Sequence, residues 1–177
     1  MPARARHAGL AHKYGPLIRA WTIFGVTFGA LQLSVSALSS EAKAPITAML
    51  AWMTGGLATL LGTRTTVVES RIFTDGYALE VIWQCSGATP MFIFAAAVAA
   101  FPSSWRSKLI GWSAGFVLLF TANLMRLLTL LYAGMRYPAA FDTLHLRVWQ
   151  PLLILLTVVL WLAWVMRFVP RDEPRPA

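Results

Sequence analysis

Long apolar segments separated by short polar loops dominate the pattern of hydrophobic and polar positions along the chain. Three of them, Leu17–Leu38, Leu109–Gly134 and Trp149–Val169, each provide about 20 apolar residues, enough to cross a hydrocarbon core of ~30 Å. A fourth, Gly87–Phe101, is shorter and would have to recruit apolar residues before Cys85 or tilt the local bilayer. The pattern predicts four membrane spans.

The uncharged segment Pro45–Gly62 could also span, but its large and small residues separate onto two helical faces. The large residues recur at i, i+3, i+4 and i+7: Ile46, Met49, Leu50, Met53, Leu57, Leu60 and Leu61. The opposite face is small or hydroxylated: Thr47, Ala51, Thr54, Gly55 and Ala58. Such a helix suits the membrane interface or a surface of other helices. We predict an interfacial or re-entrant helix, with a fifth span as the alternative.

The distribution of lysine and arginine favours four spans. With the N-terminus inside, nine basic residues then lie on the inner side: Arg4, Arg6, Lys13, Arg19, Arg106, Lys108, Arg167, Arg171 and Arg175. Five lie on the outer side: Lys43, Arg64, Arg71, Arg136 and Arg147. Five spans would split these charges eight to six. The excess of positive charge on the inner side of membrane proteins therefore supports the four-span arrangement.

The N-terminus also imitates a signal peptide, because basic residues precede an apolar run that ends near Val35-Ser36-Ala37. That run of about 22 residues exceeds the 7–15 of a signal sequence, so we predict an uncleaved span. Residues 1–169 are expected to form one transmembrane domain, followed by a disordered cytoplasmic tail, Pro170–Ala177.

Residues 64–84 differ from the apolar segments on either side and predict a small β-hairpin outside the membrane. Asp75-Gly76 is a two-residue turn signal between apolar-rich arms. After it, alternate residues share one face: Tyr77, Leu79, Val81 and Trp83. The hairpin would deliver Cys85 to the start of the second span.

Composition supports the same fold class. Hydrophobic residues make up 58% of the chain and charged residues 12%, about half the charge of a soluble domain. The net charge of +8 comes from basic residues scattered in short loops, so we expect no nucleic-acid partner. The sequence predicts an all-α polytopic membrane protein. It has four (alternatively five) transmembrane helices, an interfacial helix and a small extracytoplasmic β-hairpin.

The only cysteine, Cys85, precedes the second span. A single cysteine excludes an internal disulfide, and the sequence has no metal-ligand cluster, so we predict no cofactor. Ser86 suits a helix N-cap, and Pro90 is tolerated in a first turn. A thiol at a helix N-terminus is biased toward the thiolate, whereas the alternative is a small buried hydrophobe.

Arg126 lies inside the third span, about 12 Å below the outer end of its predicted helix. A charge at that depth costs at least ~2–3 kcal/mol, so it usually faces a polar cavity or a partner. Snorkelling to the interface is the alternative. Asn123, one turn earlier, shares the same face and favours the functional interpretation.

His145 lies in a predicted outer loop that enters the last span, and Asp142 could orient its imidazole or cap a turn. Four spans place Cys85, Arg126 and His145 toward the same outer surface. These groups supply the parts needed for thiolate attack on a peptide carbonyl. Cys85 would attack, Arg126 would stabilise the oxyanion, and His145 would move the proton to the leaving amine. The thioester would then yield to water or an amine.

At these residues the chain resembles the exosortase/archaeosortase family of membrane transpeptidases. The resemblance covers roughly Pro45–Trp164 and rests on three motifs in the family's order: Cys85-Ser86-Gly87, Asn123-Leu-Met-Arg126 and His145. The short length and the stretch from Phe141 to Gln150 resemble the compact exosortase H branch. Many larger members have around eight spans and a glycine a few residues after the histidine, where this chain has Val148-Trp149.

The resemblance implies that Cys85, Arg126 and His145 are catalytic. We add five supporting or substrate-binding candidates: Ser86, Gly87, Asn123, Asp142 and Trp149. The implied partners are membrane lipid and exported proteins whose C-terminal tail combines a short motif, a transmembrane helix and a basic cluster. The motif expected for the exosortase H branch resembles Ile-Pro-Thr-Leu. The implied location is the bacterial inner membrane, with the active site toward the periplasm.

Two other functions stay open from the residues alone. A non-enzymatic scaffold subunit would pair Arg126 with a lipid or a partner's acid, and substitution of Cys85 would be silent. A small anion transporter would line its path with Arg126. It would need no nucleophile, and Cys85 would not react with thiol reagents at neutral pH.

Overall fold

The computed structural model describes the backbone of residues 3–168 and the side chains of residues 14–168. Five α-helices form most of it: α1 Ala3–Ser36, α2 Ser40–Leu60, α3 Ala88–Ala100, α4 Trp105–Arg136 and α5 Gln150–Phe168. Three strands form one sheet: β1 Thr66–Val68, β2 Arg71–Thr74 and β3 Tyr77–Glu80. Shorter helical turns connect these elements: Trp83–Cys85, Pro138–Ala140 and Thr143–Trp149. The predicted tail Pro170–Ala177 lies outside the described residues.

Three segments of the described chain are long and apolar enough to cross a membrane: Tyr14–Ser36, Trp105–Arg136 and Pro138–Phe168. Helix α3 is a fourth apolar helix of only 13 residues. At 1.5 Å per residue it is about 20 Å long. Helix α2 is not among the three. These features confirm the predicted class of a helical, multi-pass membrane protein with a short fourth apolar helix and a small sheet.

Helix α2 packs inward through the face predicted to be small, together with Leu50 from the face predicted to be large. Its buried residues are Thr47, Leu50, Ala51, Thr54, Gly55 and Ala58. Large residues such as Ile46, Met49 and Trp52 are exposed. Small side chains let backbones approach closely, and a side chain at Gly55 would collide with Val67 of β1.

The predicted two-stranded hairpin is in fact a sheet of three strands. Residues 66–80 form this antiparallel sheet in the order β1-β2-β3. The Asp75-Gly76 turn joins β2 to β3, and Gly76 has a φ of +86°. The missed turn follows β1 at Glu69, whose φ is +52°. A glutamate gives no turn signal of the kind that Asp-Gly provides, so the first strand was not separated from the second.

The predicted alternation holds along β3 and continues to Val81, one residue past the end of the strand. Leu79 and Val81 are buried, and Leu79 is paired with the buried Ile72 of β2. The strand ends at Glu80, and the chain then enters a 3-10 turn that begins at Trp83. Trp83 therefore leaves the shared face that the sequence predicted for it.

Helix α4 contributes to two apolar clusters of buried residues in the described part of the chain. The first cluster joins α2, the sheet, Cys85 and the C-terminal half of α4. The second joins α3, α5 and the N-terminal half of α4. Gly111 and Gly115 make the second possible, because any side chain there would collide with Trp164 and Phe94, respectively. The Trp164 indole also donates a hydrogen bond of 2.8 Å to the Ser107 carbonyl.

The length of α4 shows where the sheet lies along the bundle. Its 32 residues extend about 48 Å, well beyond a hydrocarbon core of ~30 Å. The sheet packs on its last turns, where the Tyr77 ring covers Gly134 and the Thr63 and Tyr132 hydroxyls are 2.9 Å apart. We call this part of the bundle the sheet end, and the part at the loop Phe101–Ser104 the turn end.

The segment predicted as an outer loop before the last span is instead a π-helix, Thr143–Trp149, continuous with α5. Pro151 lies just beyond it and cannot donate a backbone hydrogen bond to a carbonyl of the preceding turn. A wider turn accommodates this missing donor. π-Helical turns are rare and are frequent at functional sites. This one contains His145.

Candidate active site

Cys85 ends the 3-10 turn that connects the sheet to α3. Its amide donates to the Ile82 carbonyl and the Ser86 amide to the Trp83 carbonyl, each at 2.9 Å. Gly87 follows with a φ of +75°, a conformation that favours glycine. Helix α3 then begins at Ala88, so Cys85 lies three residues before it.

Ser86 does not occupy the predicted N-cap position, which belongs to Gly87. Its hydroxyl instead accepts a hydrogen bond of 3.2 Å from the Ala88 amide. The Ser86 hydroxyl therefore pairs with one of the free backbone amides at the N-terminus of α3, although Ser86 is one residue before the N-cap. Pro90 is the third residue of α3 and lies in its first turn, as predicted.

Asn123 of α4 forms a hydrogen bond with the turn that contains Cys85. It is fully buried, and its Nδ2 donates a hydrogen bond of 3.0 Å to the Cys85 carbonyl. A side chain at Gly87 would collide with the Asn123 carboxamide. The left-handed glycine and the asparagine therefore depend on each other. Asn123 Oδ1 is buried without a hydrogen-bond partner among the described residues.

Arg126 lies one turn beyond Asn123 and is only 2% exposed. It does not snorkel to the surface. Its Nη2 lies 3.5 Å from His145 Nε2, at the outer limit of a hydrogen bond. Because arginine only donates, a hydrogen bond here requires a lone pair on His145 Nε2. Arg126 Nε is buried and unpaired among the described residues.

His145 is oriented by an aromatic ring rather than by a carboxylate. Its imidazole stacks on Phe141 with ring centroids 5.8 Å apart and an interplanar angle of 14°. The predicted orienting role of Asp142 does not appear in the geometry. Asp142 is exposed, and His145 Nδ1 has no hydrogen-bond partner in the described part of the chain. Trp149 ends the π-helix, half-buried and outside the cavity wall.

A cavity of about 600 Å³ opens beside these residues. Its wall includes Ser86, Gly87, Arg126 and His145, together with the first residues of α3 and α5. It also includes six polar residues that the sequence did not indicate as site residues: Gln32, Ser36, Lys43, Gln84, Thr89 and Gln150. The described wall contains no acidic side chain, so its chemistry is amide, hydroxyl, imidazole and cation.

The Cys85 side chain is buried beside this cavity rather than in its wall. It is 6% exposed and belongs to the apolar cluster that includes Val81, Leu124 and Leu127. Burial raises the pKa of the Cys85 thiol above its ordinary value, although the Arg126 guanidinium and a backbone hydrogen bond with Ile82 lower it. The thiolate bias expected from the helix N-terminus is therefore outweighed by burial.

The structure thus gathers most, but not all, of the predicted residues. Arg126 and His145 are in contact, and Asn123 ties the Cys85 turn to the same stretch of α4. Lys43 was treated only as a topology charge. It lies 5.9 Å from the Trp83 ring centroid, in the cavity wall. Its place depends on how α2 packs against the turn before α3, which no local pattern shows.

Comparison with known proteins identifies the family. Residues 9–162 match the family model described as Transmembrane exosortase (Exosortase_EpsH). The chain belongs to the transmembrane exosortase family. The match includes Cys85, Arg126 and His145 and most of the membrane-spanning segments. No curated protein and no solved structure matches the chain significantly. As a member of this exosortase family, it is a multi-pass membrane protein of a transpeptidase-type family.

Proposed function

We propose that this exosortase-family protein is a membrane-embedded cysteine transpeptidase or protease. It cleaves the C-terminal sorting tail of exported proteins through a thioester on Cys85. One observation supports this function above the others. Arg126 and His145 meet in the wall of a large cavity that the Cys85-Ser86-Gly87 turn also borders, and each keeps a buried nitrogen unpaired among the described residues.

Buried nitrogens without a hydrogen-bond partner destabilise a fold. Each costs about 1–3 kcal/mol when no partner replaces water. A fold that retains them beside a cavity suits a ligand that supplies the missing acceptor. A peptide carbonyl is such an acceptor, and its oxygen gains negative charge when a nucleophile attacks the carbon. Arg126 Nε and Nη2 are the donors that would stabilise this charge.

The reaction then follows in balanced steps. His145 removes the proton from Cys85, and the sulfur forms a bond to the scissile carbonyl carbon. The carbonyl electron pair moves to the oxygen, which Arg126 stabilises. Collapse breaks the C–N bond, and His145 returns the proton to the leaving amine. Water or an amine, which loses a proton to His145, then attacks the thioester carbon. The C–S bond breaks, and His145 returns the proton to the Cys85 sulfur.

The position of the sulfur sets one requirement on this mechanism. Cys85 must turn from the apolar cluster toward the cavity, a change between staggered rotamers about its Cα–Cβ bond. Its raised pKa also lowers the fraction of thiolate that forms without a base. Both features make the base essential, because His145 has to create the thiolate when the substrate is in place.

The same cavity would receive the substrate. Its described wall is neutral or basic, with amide and hydroxyl groups that can bind an extended main chain. We propose that a short motif resembling Ile-Pro-Thr-Leu enters it from the periplasmic side of the bacterial inner membrane. The substrate's transmembrane helix would lie beside the spans, and its basic cluster would remain on the cytoplasmic side.

Tail removal in cells tests this function. A substrate with a motif, a transmembrane helix and a basic cluster is expressed with the wild-type protein, with Cys85→Ala or with Cys85→Ser. Only the wild type is expected to remove the tail, measured as the shortened substrate on a gel. A Ser103→Ala variant at the turn end controls for expression and should be active. Continued tail removal by Cys85→Ala would defeat the proposal.

A second candidate is favoured by the burial of Cys85 in an apolar cluster. A non-enzymatic membrane scaffold subunit would use the cysteine only for packing and Arg126 to pair with a partner's acid. It predicts normal tail processing in Cys85→Ala cells and loss of assembly with Arg126→Ala.

A further inference from the structure

A second cavity, of about 420 Å³, lies at the turn end of the bundle, at the far end of α3 from Gly87. Its wall is formed by the N-terminal part of α1, by Ala99–Pro102 and by Lys108 of α4. No residue of this wall belongs to the candidate active site. A ligand bound here would therefore be independent of the proposed function.

The cavity is positively charged. Arg19 and Lys108 line it, and the described residues of its wall include no acidic side chain. Lys108 Nζ donates a hydrogen bond of 2.7 Å to the Ala99 carbonyl, which fixes the ammonium near the end of α3. An ammonium has three donors and a guanidinium five. Most of these donors are available to an anion in the cavity.

The position of the cavity relative to the membrane favours an anion that belongs to a lipid headgroup. Helix α3 is about 20 Å long, roughly 10 Å less than a hydrocarbon core. When its sheet end lies at one interface, its other end falls short of the opposite headgroup layer. The bilayer must then thin locally, or a headgroup must enter between the helices. Cations at such a position require a polar partner.

The rest of the wall is apolar. Ile23 of α1 and Phe101 lie in it, beside helices that expose Leu17, Ile18 and Trp21. A phosphate in the cavity would therefore continue into acyl chains along an apolar helical surface. The basic cluster of a sorting tail has the same sign of charge as Arg19 and Lys108 and does not fit.

We propose that this cavity binds the phosphate of an anionic glycerophospholipid, with Arg19 and Lys108 as its ligands. Gly15 is compatible with this role because, apart from its chain neighbours and its own helix backbone, no heavy atom lies within 4 Å of the position a Cβ would take. The bound headgroup fills the gap left by the short helix α3 and neutralises the two cations.

Native mass spectrometry of the purified full-length protein tests the site. The protein is equilibrated with equal amounts of phosphatidylglycerol and phosphatidylcholine in detergent, and the fraction that retains each lipid is measured. The wild type should retain phosphatidylglycerol preferentially. Arg19→Gln and Lys108→Gln should each lower that preference roughly fivefold, and the double variant roughly 25-fold. Arg106→Gln is the matched control. Arg106 is an exposed cation in the same helical turn of α4 as Lys108, but it does not line the cavity.

Three results would overturn the proposal. The first is an unchanged lipid preference in the double variant. The second is an equal loss in Arg106→Gln, which would indicate general charge attraction. The third is complete displacement of phosphatidylglycerol by inorganic phosphate, which would show that a free anion is the ligand. Arg19→Gln keeps the test valid even if Lys108→Gln fails to fold, because Arg19 is exposed on the outside of the bundle.

Discussion

The raised pKa of Cys85 gives the clearest expectation for a single residue. Burial stabilises the neutral thiol, so the thiolate fraction at a given pH is smaller than for a free cysteine. The rate of Cys85 alkylation should therefore rise with pH through a midpoint above ~8.5. The rate is measured with a small thiol reagent on the purified protein across the pH range.

Arg126 supplies the control for this titration, because its charge lowers the pKa of Cys85. In Arg126→Gln the midpoint should move to still higher pH, whereas Arg106→Gln at the turn end should leave it unchanged. A midpoint below that of a free thiol would contradict the burial argument. An unchanged midpoint in Arg126→Gln would show that the guanidinium does not act on the sulfur.

Gly87 and Asn123 should be energetically coupled. Gly87→Ala places a side chain against the Asn123 carboxamide and strains a residue with positive φ. Asn123→Ala removes the donor to the Cys85 carbonyl. Each change displaces the turn that holds Cys85 and should slow tail removal about 10- to 100-fold.

The double variant separates positioning from general damage. Asn123→Ala makes room for the new methyl group, so Gly87→Ala should cost clearly less in that background than in the wild type. The rates of tail removal for the four proteins form a double-mutant cycle. Strictly additive losses in that cycle would mean that the two residues do not hold the turn together.

Among the secondary-structure elements, the sequence predicted those that a local pattern of residues determines. Hydrophobic length gave the spans, and Asp75-Gly76 gave the turn between β2 and β3. The turn at Glu69 was missed because a residue other than glycine has the positive φ there. The π-helix before α5 was missed because apolar periodicity does not distinguish it from a loop or an α-helix in seven residues.

The packing of helix α4 depends on its glycine residues, and the dependence can be measured as a change in the free energy of unfolding. Gly115→Ala should destabilise the protein by about 1–3 kcal/mol, because the new side chain collides with the buried Phe94 ring. Gly25→Ala in α1 is the matched control, since nothing lies within 4 Å of its added side chain. Denaturant unfolding in mild detergent compares the two. Equal stabilities would show that Phe94 moves aside without cost.

At the scale of the whole molecule, the cavity beside Cys85 joins residues that are far apart in sequence. Arg126 was predictable because a charge within an apolar span stands out. Gln32, Lys43 and Gln150 were not, because each is ordinary in its own segment and becomes part of the wall only when α1, α2 and α5 converge. The burial of the Cys85 sulfur outside that wall is likewise a property of packing.

Peptide mass spectrometry of the protein during turnover is the most direct test of the Cys85 thioester. The purified protein is mixed with a tailed substrate, quenched in acid, digested and examined for a modified Cys85 peptide. The thioester mechanism predicts a transient adduct of Cys85 with the upstream fragment, which hydroxylamine removes and Cys85→Ala abolishes. Tail removal without any adduct on Cys85, or with an adduct on another residue, would contradict it.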